Sequence, residues 1–196
     1  MTLGLFAEPT QRRLSCHNVG LGQIAGASSV TEQYRQIFEI NVFGAVTVTE
    51  AFLPRLRASS HPDLRIVNVT SGLGLYSMAG KKEKAFNVNA WNAPDYRSSK
   101  ATLNMIIAAQ SVKLASGEVA AVIAAVPGMC RTKLTSGQGR KEVSDEAKVI
   151  MRAATEGNPG ELSRTMSLMP GGKMSPIGKC CASCVHMAAR RHFERY

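Results

Sequence analysis

The chain has 196 residues, 44% of them apolar, which is enough for one compact domain with a hydrophobic core. Its formal net charge is +10, but the basic residues are scattered with little aromatic interleaving, which argues against a nucleic-acid partner. No apolar run has the length of a membrane span, and residues 1–13 lack the apolar centre of a secretory signal. Five cysteines, an odd number, do not resemble a disulfide framework, so we expect a reducing, cytoplasmic location.

The first elements along the chain are a short strand and a long helix. The strand is predicted at residues 14–20, and a loop rich in Gly, Ala and Ser follows it. Ser29 or Thr31 can cap the helix, which then extends to about Leu56. Asn41 interrupts its interior, where an amide competes for backbone groups. Asn41 is therefore either a solvent-facing polar residue or the site of a local break that frees a backbone carbonyl to hold a water.

Two further strands are predicted from apolar and β-branched runs at residues 65–69 and 119–126. The first of them opens into a turn that contains Ser71. Ligands in open α/β sheets bind beyond the carboxyl ends of strands, so Ser71 is placed to donate to a substrate oxygen, although a plain turn serine is the commoner case. Strands that alternate with long helices predict an α/β domain with a parallel sheet and flanking helices.

Tyr96 and Lys100 lie one turn apart on a helix that is expected to begin near Asp95 and to end near Gly117. The apolar stripe of this helix is formed by Leu103, Ile107 and Leu114. The phenol and the ammonium therefore lie at the edge of a core, where a nearby cation favours the phenolate. Such a phenol suits proton exchange with an alcohol or a carbonyl. An ordinary amphipathic helix with a snorkelling lysine is the alternative explanation of the pair.

The rest of the chain is less informative. Residues 76–94 form a polar segment that could cover a site, and a last helix is predicted from Ser144, as its cap, to about residue 155. The basic stretch at 179–196 contains Cys181-x-x-Cys184, which has the spacing of zinc ligands. No second cysteine pair accompanies it, so no metal site is predicted, and structural thiols or a disordered tail explain the stretch better.

Four of these features resemble, in order and over about residues 14–160, the motifs of the short-chain dehydrogenase/reductase family. They are Asn41-Val42-Phe43-Gly44, similar to the family's helix asparagine; Ile66–Gly72, similar to its strand with the active serine; Tyr96-x-x-x-Lys100; and Pro127-Gly128 followed by Thr132. The length between the serine and the tyrosine is closer to that of the carbonyl-reductase-like members. The resemblance implies a Rossmann-like fold.

The resemblance also implies an NAD(P)-dependent oxidoreductase, with NADP or NAD as the cofactor and a small carbonyl compound or secondary alcohol as the substrate. Tyr96 would exchange a proton with the substrate oxygen, and Ser71 would hold that oxygen. Lys100 would lower the proton affinity of the phenol and bind the nicotinamide ribose, while Asn41 would keep a water. The implied cofactor-binding residues are Asn18, Val19, Gly20, Tyr96, Lys100, Pro127, Gly128 and Thr132.

Two departures from the family pattern bear on activity. The Gly-rich turn G-x-x-x-G-x-G, which brings a pyrophosphate to a helix N-terminus, has no match. His17-Asn18-Val19-Gly20 instead resembles a degenerate form of the family's Asn-Asn-Ala-Gly turn after the fourth strand. We therefore expect residues 1–165 to be a truncated, partial Rossmann-like domain without the first three strands and the Gly-rich turn, and residues 166–196 to be a divergent basic tail.

These departures leave a second hypothesis open. The chain would then be a truncated, non-catalytic member of the family, either an inactive fragment or an interaction module. In the family, the two long helices often pack against the copies of a partner. Here they correspond to residues 31–57 and 95–115, which would form homo- or hetero-oligomers.

Overall fold

The structure is a computed structural model that describes residues 14–22, 24, 26–76, 93–114, 119, 121–139 and 141–156. Within these ranges three strands form one parallel sheet in the order β1-β2-β3: β1 (Leu14–His17), β2 (Arg65–Val69) and β3 (Ala121–Ala125). The α/β architecture with a parallel sheet is therefore confirmed. Because all three strands run in the same direction, their carboxyl ends lie along one edge of the sheet.

One long helical segment connects β1 to β2. It consists of α1 (Val30–Phe38), a π-helical turn (Glu39–Phe43) and α2 (Gly44–Arg57). Ser29 is its cap, because the side-chain oxygen of Ser29 accepts a backbone N–H from the first turn. The π turn is the local break that was predicted at Asn41, and such turns insert one extra residue into a helix. Asn41 is only 1% exposed, so its interpretation as a solvent-facing residue is wrong.

A second long helix, α3 (Pro94–Leu114), follows the turn after β2 and contains Tyr96 near its start. Together α2 and α3 cover one face of the sheet. The core on this face includes Leu56, Ile66, Leu103, Ile107, Leu114 and Val122. The apolar stripe that was predicted for α3 is therefore its buried side.

The opposite face of the sheet is covered by α4 (Val143–Thr155), whose Ala154 packs against Val67 and Ile123. This helix begins one residue before Ser144, and the residue at its cap position is Glu142, which makes no side-chain capping hydrogen bond. The prediction that Ser144 is the cap is therefore wrong. The backbone of Glu142 is still extended (φ −75°, ψ 150°), so the helix has already begun when the chain reaches Ser144.

The segment Val30–Arg57 corrects one expectation from composition. Within the described residues it is the one helix that is long and apolar enough to cross a membrane, with a mean hydropathy of 1.3 over its best window. Length and composition alone give this result, and buried core helices share both properties. Three of its side chains, Ile37, Val42 and Leu56, belong to the buried core.

Several predictions concern parts of the chain outside the described residues. These are most of the polar segment at residues 76–94, which could cover a site, and the basic tail at residues 166–196, which contains Cys181-x-x-Cys184.

Candidate active site

The turn after β2 positions Ser71 beside α3. Ser71 caps a short 3-10 turn, Gly72–Gly74, and its Oγ accepts the N–H of Leu73 at 3.2 Å. Gly74 makes the closest approach to α3, because a Cβ at this position would lie 2.6 Å from the carbonyl carbon of Lys100. A residue without a side chain is therefore needed here for the turn to contact the backbone of α3.

This contact brings Ser71 and Tyr96 together. Their side chains share a hydrogen bond, and Tyr96 is only 6% exposed. Burial raises the pKa of Tyr96 above its usual value, and the hydrogen bond from Ser71 opposes the rise only in part. We expected a nearby cation to favour the phenolate. The structure gives the opposite direction, because desolvation outweighs the other effects on this phenol.

Lys100 lies on the same helix face as Tyr96, with its Nζ 5.8 Å from the centre of the Tyr96 ring. The side chain is 3% exposed, and burial lowers the pKa of Lys100 to about 8. Its Nζ donates to the carbonyl oxygen of Val69 at 3.2 Å. An ammonium has three donors, and this carbonyl is the one acceptor found for it among the described residues.

Asn41 is buried and does not face solvent. Its Oδ1 accepts the N–H of Leu21 at 2.7 Å, and its Nδ2 donates to the carbonyl oxygen of Leu21 and to Ser99 Oγ, each at 2.9 Å. The side chain of Asn41 thus links the segment after β1 to α3. The water that Asn41 would keep stays a prediction.

The predicted cofactor turn, Asn18 to Gly20, follows β1 and is exposed. Its base is held by His17, whose Nδ1 lies 2.9 Å from Asn68 Oδ1 and whose Nε2 lies 2.8 Å from Ser15 Oγ. Burial lowers the pKa of His17, which favours the neutral imidazole. The turn is therefore anchored to β2 at the sheet edge where Ser71 also lies.

The second predicted cofactor segment follows β3 and contains Pro127, Gly128 and Thr132. The loop that continues it is closed by backbone pairing of Cys130 with Lys141. Leu134 of this loop packs on the turn after β1, since a Cβ at Gly22 would lie 2.5 Å from Leu134 Cδ1. The structure therefore brings the chain segments after β1 and β3 into contact.

Comparisons with known proteins identify this arrangement. Residues 15–143 match the family model described as short chain dehydrogenase. The chain belongs to the short-chain dehydrogenase family. It is 46% identical over 147 residues to the short-chain dehydrogenase anuI of Penicillium roqueforti. The aligned residues make up 74% of this chain and 58% of that protein. It is 27% identical to the salutaridine reductase of Papaver bracteatum, over 65% of this chain and 49% of that protein. The chain thus spans about half the length of these curated relatives.

Three solved structures illustrate the similarity of fold. The carbonyl reductase Sniffer of D. melanogaster superposes with a TM-score of 0.61 at 18% identity, over 79% of this chain and 64% of that one. The short chain dehydrogenase of Shigella flexneri gives 0.62 at 18% identity, over 85% and 63%. The NADPH-bound carbonyl reductase from chicken fatty liver gives 0.59 at 19% identity, over 78% and 63%. At these identities the likeness establishes the fold.

Membership in the short-chain dehydrogenase family makes a nicotinamide cofactor the expected group, and the residues of this chain fit one. The buried ammonium of Lys100 has donors left for hydroxyl groups such as those of a ribose. Gly20 leaves open the space beside that ammonium, because a Cβ at Gly20 would lie 3.5 Å from Lys100 Nζ. A larger side chain at this position would fill the approach to the ammonium.

Sequence reasoning on this member of the family missed three side chains that support the site. They are Gln33 on α1 and Asp95 and Ser99 on α3, all of which hydrogen-bond around Tyr96. Asp95 and Ser99 flank Tyr96 within one helical turn, and this proximity was the available signal. Gln33 had no such signal, because it lies 62 positions away from its partner Asp95.

Proposed function

We propose that this short-chain dehydrogenase provides the catalytic side of an NAD(P)-dependent carbonyl reductase, with Tyr96 as the proton donor. The observation that carries the proposal is the hydrogen bond between Tyr96 and Ser71, next to the buried ammonium of Lys100. Two hydroxyls from separate segments can thus reach one substrate oxygen. The proposal covers NADP and NAD alike.

The protonation state of Tyr96 favours the direction of reduction. When hydride adds to a carbonyl carbon, the carbonyl oxygen must receive a proton. Because burial raises the pKa of Tyr96, the phenol keeps its proton at neutral pH and can donate it. The Ser71 hydroxyl would hold the same oxygen while its charge develops. Oxidation of an alcohol would need the phenolate, which this burial disfavours.

The cofactor, when bound, would supply the hydride. Lys100 Nζ would donate to its ribose hydroxyls, and the open backbone at Gly20 would lie next to the sugar. The backbone of Pro127 and Gly128, together with Thr132, would approach the nicotinamide. Asn41 would hold the segment after β1 in place through its two hydrogen bonds to Leu21.

The direct test compares the natural chain with Tyr96→Phe. Cofactor binding is measured by calorimetry with NADPH and with NADH, and turnover is measured on a panel of carbonyl compounds. Because the substitution removes the proton donor but leaves the other implied cofactor-binding residues in place, we expect cofactor binding to weaken far less than turnover, which should fall by about 10²- to 10⁴-fold. If the natural chain binds neither cofactor at millimolar concentration, the reductase proposal fails.

A second candidate function, an interaction module, is favoured by the outer side of the two long helices. On α3 four exposed apolar residues lie at helical spacing, namely Ala101, Met105, Ala109 and Val112, and the exposed Lys113 ends this stripe. Met105 is 71% exposed, and Phe43 in the π turn of the neighbouring helix is also exposed. Exposed apolar stripes of this kind mark interaction sites. We propose a homo- or hetero-oligomer through this surface.

Sedimentation tests the oligomer. Met105→Glu is expected to shift the chain toward the monomer, because a charge would be buried in the contact. The matched control is Met151→Glu, which changes an exposed methionine of α4 on the opposite face of the sheet. A natural chain that is monomeric alone and with a full-length relative would remove this candidate.

A further inference from the structure

Tyr96 is held at its backbone N–H by a relay that ends on α1. The N–H of Tyr96 donates to Asp95 Oδ1 at 2.8 Å. The other carboxylate oxygen, Oδ2, accepts from Gln33 Nε2 at 2.6 Å. Asp95 is fully buried, so each of its oxygens has a defined protein partner and neither depends on solvent.

The backbone carbonyl of Tyr96 is held by a second relay, which ends on the π turn. Ser99 Oγ donates to the Tyr96 oxygen at 2.8 Å, and the same Oγ accepts from Asn41 Nδ2 at 2.9 Å. Ser99 is completely buried. Both polar backbone groups of Tyr96 are therefore connected, through one side chain each, to the helical segment Val30–Arg57.

A helix start does not by itself require this arrangement. The first N–H groups of a helix lack intrahelical partners, and a carboxylate is a favourable acceptor for them. A buried carboxylate, however, is costly unless it is hydrogen-bonded, and an exposed serine or a water would satisfy the same N–H at lower cost. Asp95 differs from such acceptors in one respect: through Gln33 it also fixes the position of α3 relative to α1.

We propose that Gln33, Asp95 and Ser99 are positioning residues, which hold the Tyr96 phenol against Ser71 by tying the backbone of Tyr96 to the facing helix. This inference rests on the proposed function of Tyr96 and adds to it. A displacement of about 1 Å is enough to reduce catalysis strongly, so a reacting side chain at the very start of a helix needs such support. The relays provide it on both sides of the residue.

The first relay is tested by exchanging the amide donor of Gln33 and the carboxylate acceptor of Asp95 between the two positions. Gln33→Glu places two carboxylates in contact, so we expect the first turn of α3 to move away and to admit water to Tyr96. Asp95→Asn by itself is expected to be mild, because the introduced amide still accepts from Tyr96 and the Gln33 amide can rotate. In the double variant Gln33→Glu/Asp95→Asn, the introduced amide donates to the introduced carboxylate, and the relay is restored.

The readout is the titration of the Tyr96 phenol, which is followed by the ultraviolet absorption of phenolate and isolated by subtracting Tyr96→Phe. The charge added by Gln33→Glu would by itself raise the pKa of Tyr96, so a measured fall toward about 10, the value of an exposed tyrosine, can come only from water admitted to the phenol, and this fall is the result we expect. The double variant, which has the net charge of the natural chain, should return the pKa. A substitution that only lowers global stability leaves this pKa unchanged in the folded chain. If Gln33→Glu leaves the titration unchanged, or if the double variant does not restore it, the inference is overturned.

A matched pair of serines tests the second relay, with variants that should keep the fold. Ser99→Ala removes the link to Asn41. Ser98→Ala removes a similar bond within α3, from Ser98 Oγ to the Asp95 carbonyl oxygen at 3.0 Å, which ends on the same helix. We expect only Ser99→Ala to shift the Tyr96 titration, and equal titrations of the two variants would contradict the inference. The measurement needs neither cofactor nor turnover, so its outcome is separate from that of the reductase proposal.

Discussion

The two halves of α3 bury different kinds of side chain, although they belong to one continuous helix. The first half buries Asp95, Tyr96, Arg97, Ser99 and Lys100, and the second half buries Leu103, Ile107 and Leu114. The second half packs on Ile66 and Val122 of the sheet. The first half instead contacts the turn after β2 and the side chains of Gln33 and Asn41.

The difference separates residues that stabilise the fold from residues that make the site. Apolar burial contributes directly to stability, whereas a buried ammonium and a buried carboxylate cost free energy unless they are well paired. The polar half is therefore held in place by the apolar half and by its hydrogen bonds. Substitutions in the apolar half should therefore change mainly the free energy of unfolding, and substitutions in the polar half should change mainly the geometry of the site.

The largest effect on stability is expected in the apolar half. Leu103→Ala removes a fully buried side chain from the core and should lower the free energy of unfolding by about 2–5 kcal/mol. Met151→Ala, at an exposed position of α4 outside the proposed contact surface, should change it by less than about 0.5 kcal/mol. Urea unfolding measures both. In the folded state, neither variant should alter the titration of Tyr96, and a shift in Leu103→Ala would show that the two halves are not separable.

The next effect comes from Lys100 and depends on pH. Its pKa is lowered to about 8 in the folded chain from an ordinary value of 10.5, so between these values the unfolded chain binds more protons. The free energy of unfolding should therefore rise as the pH increases from about 8 to 10.5, by about 3 kcal/mol in total. Above pH 9 the raised pKa of Cys16 acts in the opposite direction, and above pH 10 the raised pKa of Tyr96 does so too, so the clearest window is pH 8–9.

Lys100→Met provides the control for this pH dependence. Methionine keeps most of the length of the side chain but does not titrate, so the rise between pH 8 and 9 should be absent. Unfolding in urea at a series of pH values checks both chains. A rise of equal size in Lys100→Met would assign the effect to another group and would show that the ammonium is not desolvated as the structure indicates.

A smaller effect is expected at the contact between the turn and α3. Gly74→Ala would place a Cβ 2.6 Å from backbone atoms that cannot rotate away, so the turn must shift. Overpacking of this kind costs about 1–3 kcal/mol. Because the shift separates Ser71 from Tyr96, the measured pKa of Tyr96 should also change. Gly26→Ala, at a glycine with open space around it but a positive φ of 79°, would cost stability without affecting Tyr96.

Much of the fold followed from the sequence because its patterns are local. The strand at residues 65–69 has the predicted bounds, and the apolar stripe of α3 follows from helical spacing alone. The meeting of Ser71 and Tyr96 was expected only from the family resemblance, because Tyr96 lies on a helix and does not follow a strand. The break at Asn41 was one of the two interpretations that the sequence left open, and its π-helical form was not predicted.

The remaining features depend on how deeply and at what angle the elements pack. The raised pKa of Tyr96 reflects a depth of burial that helical spacing does not specify. The bond between Gln33 and Asp95 requires two particular helix positions, 62 residues apart, to face each other. The prediction that Ser144 caps α4 was wrong for a related reason. The backbone conformation before Ser144, and not the residue type, determines where α4 begins.

The smallest expected effect on stability concerns two serines that make the same kind of hydrogen bond, one in each half of α3. Ser99 and Ser111 each donate to the carbonyl oxygen three residues earlier, at 2.8 Å and 2.7 Å. Ser99→Ala should cost about 1 kcal/mol, because it removes a buried partner of Asn41. Ser111→Ala should be neutral or slightly stabilising, by up to about 0.5 kcal/mol, since alanine is the better helix former and no second helix depends on this hydroxyl. Equal unfolding free energies for the two variants would mean that the polar half of α3 is held by its apolar half alone, without the bond to Asn41.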